Sequence, residues 1–143
     1  MTAAGTAAVA ITPINIALTV NQDVGAGFTG GGGNDIFNAL ATTLTTGDSL
    51  SGGLGSDTLS LSATIAAATG IAGFTLNSVE NVSVALTDGD ATTAHALTLN
   101  MLNAGAVNAS VSGAAATTRA DGLTLDNLAA GSSVGLSNST NLN

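Results

Sequence analysis

An all-β fold of stacked coils, a parallel β-roll or β-solenoid, is what this sequence predicts; a two-sheet β-sandwich is the competing arrangement. Three observations carry the prediction. Apolar residues make up 45% of the 143, yet aromatics are only 2% and charged residues 7%. Side chains that small must pack closely and regularly, which suits thin β-layers better than a bulky core. Second, a nine-residue pattern G-G-x-G-x-D-x-U-x, with U a large apolar residue, occurs in full at Gly30–Asn38 and again at Gly52–Ser60. Third, a looser core, L-[N/D]-x-[L/V], recurs at Leu76, Leu99 and Leu125. Intervals of 20–50 residues are those of solenoid coils.

Residues 1–20 read as an N-terminal strand segment. After Pro13 every even position to Val20 is apolar: Ile14, Ile16, Leu18 and Val20. Ile14–Val20 is therefore expected as a strand with one buried face, with Pro13 marking an edge or a bend. It is also a candidate for pairing with a neighbouring subunit.

Residues 21–62 hold the nine-residue units. They run NQDVGAGFT (21–29), GGGGNDIFN (30–38), an insertion ALAT (39–42), TLTTGDSLS (43–51) and GGLGSDTLS (52–60). The U positions are Phe28, Phe37, Leu50 and Leu59. The first and third units are degenerate.

Residues 63–143 continue the same domain as a solenoid-like repeat region. Ala63–Ala72 is Ala-rich, so it suits a short helix, ended by Gly70 and Gly73, or a further strand. Phe74–Leu86 reads as strand, turn, strand, with Glu80 expected in a surface turn. Each loose core is followed by another β-like run, at Val82–Leu86, Val107–Val111 and Val134–Leu136.

The nonapeptides resemble the calcium-binding repeats of RTX (hemolysin-type) proteins over about Asn21–Ser60. With the Ala-, Thr-, Asn- and Val-rich segments beyond them, including LNSVENVSV, the chain resembles bacterial surface-layer proteins that carry RTX turns. The resemblance implies a right-handed parallel β-roll stabilised by Ca2+. In such a roll successive turns alternate between two edges, and one ion sits between turns two units apart. Calcium takes six to eight oxygen ligands, and glycine-rich turns expose carbonyls while the Asp adds a carboxylate.

On that pattern Gly30, Gly31, Gly33, Asn34 and Asp35 stack on Gly52, Gly53, Gly55, Ser56 and Asp57, with Asp35 and Asp57 flanking one ion. On the opposite edge Asn21–Ala26 stacks on Thr43–Asp48. Asp48 falls at the ligand position; Ala26 does not match it, and Asp23, three positions early, is the substitute. Asp88 and Asp90 in TDGDATT form either a further calcium loop or a solvated hairpin tip.

Other function classes fit poorly. One Arg, no Lys and a net charge of −8 exclude a basic patch for nucleic acid. The N-terminus lacks a basic n-region, and its recurring Thr and Asn make it too polar for a membrane span, so no membrane insertion is expected. There is no cysteine, and His95 is the only histidine, so no transition-metal set can form. Arg119 pairs with Asp121 or meets a neighbouring subunit. One His, one Glu and no G-x-S-x-G leave no acid/base pair or triad, so an enzyme is not expected.

The expected function is that of a structural, self-assembling extracellular protein, a surface-layer or filament subunit whose folding and polymerisation need calcium. Its expected partner is itself, with a cell-surface polysaccharide as a further candidate. The alternative is a calcium-folded binding module of a larger secreted adhesin, toxin or enzyme.

Overall fold

The structure, a computed structural model, describes residues 11–89, 92–114 and 122–137. Eleven strands follow one another: β1 (Asn15–Ala17), β2 (Ile36–Leu40), β3 (Ser49–Ser51), β4 (Thr58–Ile65), β5 (Thr69–Ile71), β6 (Thr75–Asn77), β7 (Asn81–Asp88), β8 (Ala96–Asn100), β9 (Asn108–Ala114), β10 (Gly122–Asp126) and β11 (Ser133–Ser137). The only helical element among the described residues is a 3-10 turn at Ala26–Phe28.

Every pairing between these strands is parallel. One sheet has six strands in the order β1-β2-β4-β7-β9-β11; a second has β10-β8-β5; a third has β3-β6. Parallel neighbours joined without helices require the chain to wind round and return, and the result is a β-solenoid of about four turns. Among the described residues the strands do not form an antiparallel sandwich.

The six-stranded sheet sets the period. Ile36, Thr58, Asn81, Asn108 and Ser133 stand in one row, so successive coils take 22, 23, 27 and 25 residues. Coils from β4 onward are longer because they add a third face, the β5-β8-β10 sheet.

Alternation along each strand sorts residues inward and outward. One inward row runs Ile16, Phe37, Leu59, Val82, Ala109, Val134; the next runs Ala39, Leu61, Val84, Val111, Leu136. Phe37, Leu59, Val82 and Val84 are wholly buried, and Leu50, Leu97 and Leu99 fill the core from the other two sheets. Among the described side chains, outward positions in β4, β7 and β9 are Thr, Ser, Asn and Ala, so the exposed face there is polar and small.

Several expectations shift. The first strand is three residues long; Leu18 is buried, but Ile14 and Val20 are exposed. It pairs with the chain's own β2 at the end of the six-stranded sheet. Ala63–Ala72 forms no helix: its start extends β4 and its end forms β5. The three loose cores do not share one row. Leu99 stacks on Leu125 and Ile71, whereas Leu76 stacks on Leu50 in the two-stranded sheet and bridges to Ala104. Sequence similarity there marks a local strand-and-turn preference, and the added third face displaces one copy from the others.

Candidate functional site

The two glycine turns lie on one edge of the solenoid, the second over the first. Thr58 pairs with Ile36, and the same register carries back through the turns. The Leu54 amide donates to the Gly31 carbonyl at 2.9 Å, and the Ser56 amide donates to Asn34 Oδ1 at 3.0 Å. Gly53 and Gly55 adopt φ of +97° and +130°, and a β-carbon on them would overlap the Gly31 and Gly33 carbonyls respectively. A side chain at either position would meet strain and main chain together, which is why the pattern keeps glycine there. The ALAT insertion does not disturb the stack. It is taken up in a turn in which Thr43 and Leu44 amides donate to the Leu40 carbonyl, and Leu44 is buried.

At four of the corners where the chain enters a strand of the six-stranded sheet, the main-chain amide points toward the next coil and a side-chain oxygen there accepts it. Ile14 donates to Asp35 Oδ1 at 2.7 Å, Asp35 to Asp57 Oδ1 at 2.7 Å, and Asp57 to Glu80 Oε2 at 2.8 Å. Two coils further on, Val107 donates to Ser132 Oγ at 3.1 Å. Asp35 and Asp57 are completely buried. Buried amides cost about 1–3 kcal/mol if left without an acceptor, so this column of side-chain oxygens does structural work in a place where strand pairing has not yet begun.

Asp57 differs from the others. Asp35 Oδ2 also accepts the Gly31 amide at 2.6 Å. The corresponding Asp57 Oδ2 is buried and has no hydrogen-bond donor. It lies beside the Ser78 carbonyl, since a β-carbon on Gly52 would overlap both oxygens. Burial pushes the Asp57 pKa up, the Asp35 amide pulls it down, and the charges of Asp35 and Glu80 push it up again.

On the opposite edge, Asp23 stands over Asp48. The Asp23 amide donates to Asp48 Oδ1 at 2.8 Å. Asp23 receives the Thr19 amide and hydroxyl at 2.7 and 2.6 Å; Asp48 receives those of Thr45 at 2.6 and 3.0 Å. Asp23 precedes its partner by 25 residues, but Thr29 precedes Ser51 by 22. The extra residues are taken up around the Ala26–Phe28 turn, which accounts for an Asp sitting three positions ahead of the repeat pattern. The column stops after Asp48, because the next coil places buried Phe74 there.

The remaining candidates separate from these columns. Asp88 ends β7, paired with Ile65, and Asp90, Arg119 and Asp121 lie outside the described residues. Glu80 is a correction: it is half-buried in the corner column. Its signal was its place directly before the strand NVSVAL, 23 residues after Asp57. Thr19, Thr45 and Ser132 carried no comparable signal.

A calcium turn draws most of its ligands from main-chain carbonyls, with carboxylates completing the set. Among the described residues no three His, Cys, Asp or Glu side chains converge as a metal-binding group. At the Asp57 end of the stacked turns a buried carboxylate oxygen without a donor adjoins the Ser78 carbonyl. No described helix is long and apolar enough to cross a membrane. Comparison with protein-family models, curated proteins and solved structures found no match.

Proposed function

We propose that this chain is a structural, self-assembling protein of the cell exterior whose folding and polymerisation depend on calcium. The single observation that carries the reading is Asp57 Oδ2, buried without a donor in the second glycine turn beside the Ser78 carbonyl of the next coil. Asp35, Asp57 and the turn carbonyls would hold the ion. Its charge would offset the repulsion among Asp35, Asp57 and Glu80, carboxylates on three consecutive coils. Bound only by the folded chain, calcium would add its binding free energy to folding, about 2.7 kcal/mol at a hundredfold excess over Kd.

A metal-free scaffold is the second reading. It is favoured by the oxygens of Asp23, Asp35 and Asp48, all of which already accept amides or hydroxyls.

Thermal unfolding and light scattering in millimolar calcium and in chelator separate them. Calcium should raise the melting temperature and promote assembly of the natural chain, and Asp57→Ala should remove both responses. An unchanged melting curve on chelation would select the metal-free scaffold. A calcium-folded monomer would point instead to a binding module of a larger secreted protein.

A further inference from the structure

We infer that the chain polymerises end to end, the last coil of one copy docking on the first coil of another through the six-stranded sheet. The inference rests on the self-assembly part of the reading above and not on calcium.

The two ends are complementary in side chains. At the last described coil, Val134 and Leu136 continue the inward rows but are 52% and 60% exposed, whereas Val82 and Val84 in those rows are fully buried. At the first coil, Ile16 and Leu18 stand at the head of the same rows, Ile16 paired with Phe37 and the Leu18 amide donating to the Asn38 carbonyl. Continuing the register sets Ile16 of a second copy on Val134 and Leu18 on Leu136.

They are complementary in main-chain groups too. Ile36 donates to the Ile14 carbonyl and Leu18 to the Asn38 carbonyl, so the amides of Asn15 and Ala17 face away from β2. Ser133 donates to the Val107 carbonyl, so Val134 and Leu136 turn their main-chain groups away from β9. In parallel pairing these two open sets match in the register that aligns the side chains.

The corner column supplies an independent match. Asp35, Asp57, Glu80 and Ser132 each offer a side-chain acceptor to the amide of the preceding coil, and Val107 does not. Ser132, the corner residue of the last coil, donates its amide to the Ala129 carbonyl within its own turn at 3.1 Å. The residue that would lie next to it is Ile14, which has no acceptor to offer. The junction therefore strands no buried amide. Neither β1 nor β11 contains a charge or a proline, the devices that normally protect an exposed strand edge. The three-stranded sheet begins only with β5, so the contact is confined to the six-stranded sheet.

Two edge variants test this. Ala17→Pro removes an outward amide at the first coil without touching a β1–β2 bond, and Leu136→Lys charges the last coil at an exposed position. Each is run alone and in equal mixture by analytical ultracentrifugation in millimolar calcium, with circular dichroism to verify the fold. The natural chain should form species larger than dimers, each variant alone should be monomeric, and the mixture should form dimers from the two intact ends. Asn15→Pro and Val134→Pro repeat the test should either first variant fail to fold. Dimers of Ala17→Pro alone would mean last coil against last coil, and normal polymers from both variants would mean lateral contacts; either overturns the inference, as does a natural chain that stays monomeric. The same pattern in chelator would uphold the end-to-end contact while overturning the calcium reading.

Discussion

The main-chain amide of Asp35 donates to the carboxylate of Asp57 on the next coil at 2.7 Å, with both residues fully buried. One carboxylate thus ties two glycine turns together directly. The same relation repeats from Asp57 to Glu80, so a row of acids forms a seam along one corner of the solenoid.

Glu80 tests the seam without altering the glycine turns. Glu80→Ala should lower stability by about 1–3 kcal/mol, because the Asp57 amide loses its acceptor. Glu80→Gln keeps that acceptor and removes a charge that pushes the Asp57 pKa up. Its urea midpoint should equal or exceed that of the natural chain.

Asp57 should make the chelated protein more stable in acid than at neutral pH, as far as its own contribution goes. Its pKa is raised in the fold above the ordinary 3.8, first by burial and then by Asp35 and Glu80. The folded state then binds more protons than the unfolded one between that ordinary value and the raised one. Stability is therefore lost as pH rises through that window and is greatest below it. Asp57→Asn keeps an acceptor for Asp35 and gives the Ser78 carbonyl a donor. In chelator it should melt higher than the natural chain at about pH 7, with the gap closing below about pH 4. Urea titrations of both chains across that range measure the difference.

Glycine positions divide by what surrounds them. A β-carbon at Gly52 would overlap the Ser78 carbonyl and Asp57 Oδ2, whereas at Gly70 it would meet nothing within 4 Å. Gly52→Ala should cost about 1–3 kcal/mol or more through overpacking. Gly70→Ala should stabilise by about 0.4–1 kcal/mol by restricting the unfolded chain. Equal effects in denaturant melts would contradict the packing described.

The interior rows should be sensitive out of proportion to their size. Phe37 is completely buried between Ile16 and Leu59, while Leu54 at the tip of the second turn is 76% exposed. Phe37→Ala should lose about 3–5 kcal/mol, and Leu54→Ala should fall within about 0.5 kcal/mol of the natural chain.

Much of this architecture was legible because a period-two pattern and a strict turn motif are local properties. Of the four U residues that the nonapeptide places inside, Phe37, Leu50 and Leu59 are buried, and Phe28 is half-buried against the core. The stacking of Asp35 on Asp57 follows from counting units. Glu80 was not legible, since its role depends on a coil that contains no nonapeptide. Nor was the shift of Leu76 away from Leu99, which arises when a third face enters the coil between them.

By itself the sequence determined that the chain is β-rich, built from small apolar residues, and turned at two glycine motifs of fixed spacing. These follow from side-chain volume, alternation and the backbone freedom of glycine, all short-range effects. Only the tertiary structure decided how the coils stack: the three-residue offset of Asp23, the recruitment of Glu80 and Ser132 into one corner column, and the single carboxylate oxygen of Asp57 left without a donor. Each depends on which residues of separate coils come to lie one above another, and that register is set by pairing across 20 or more residues of chain.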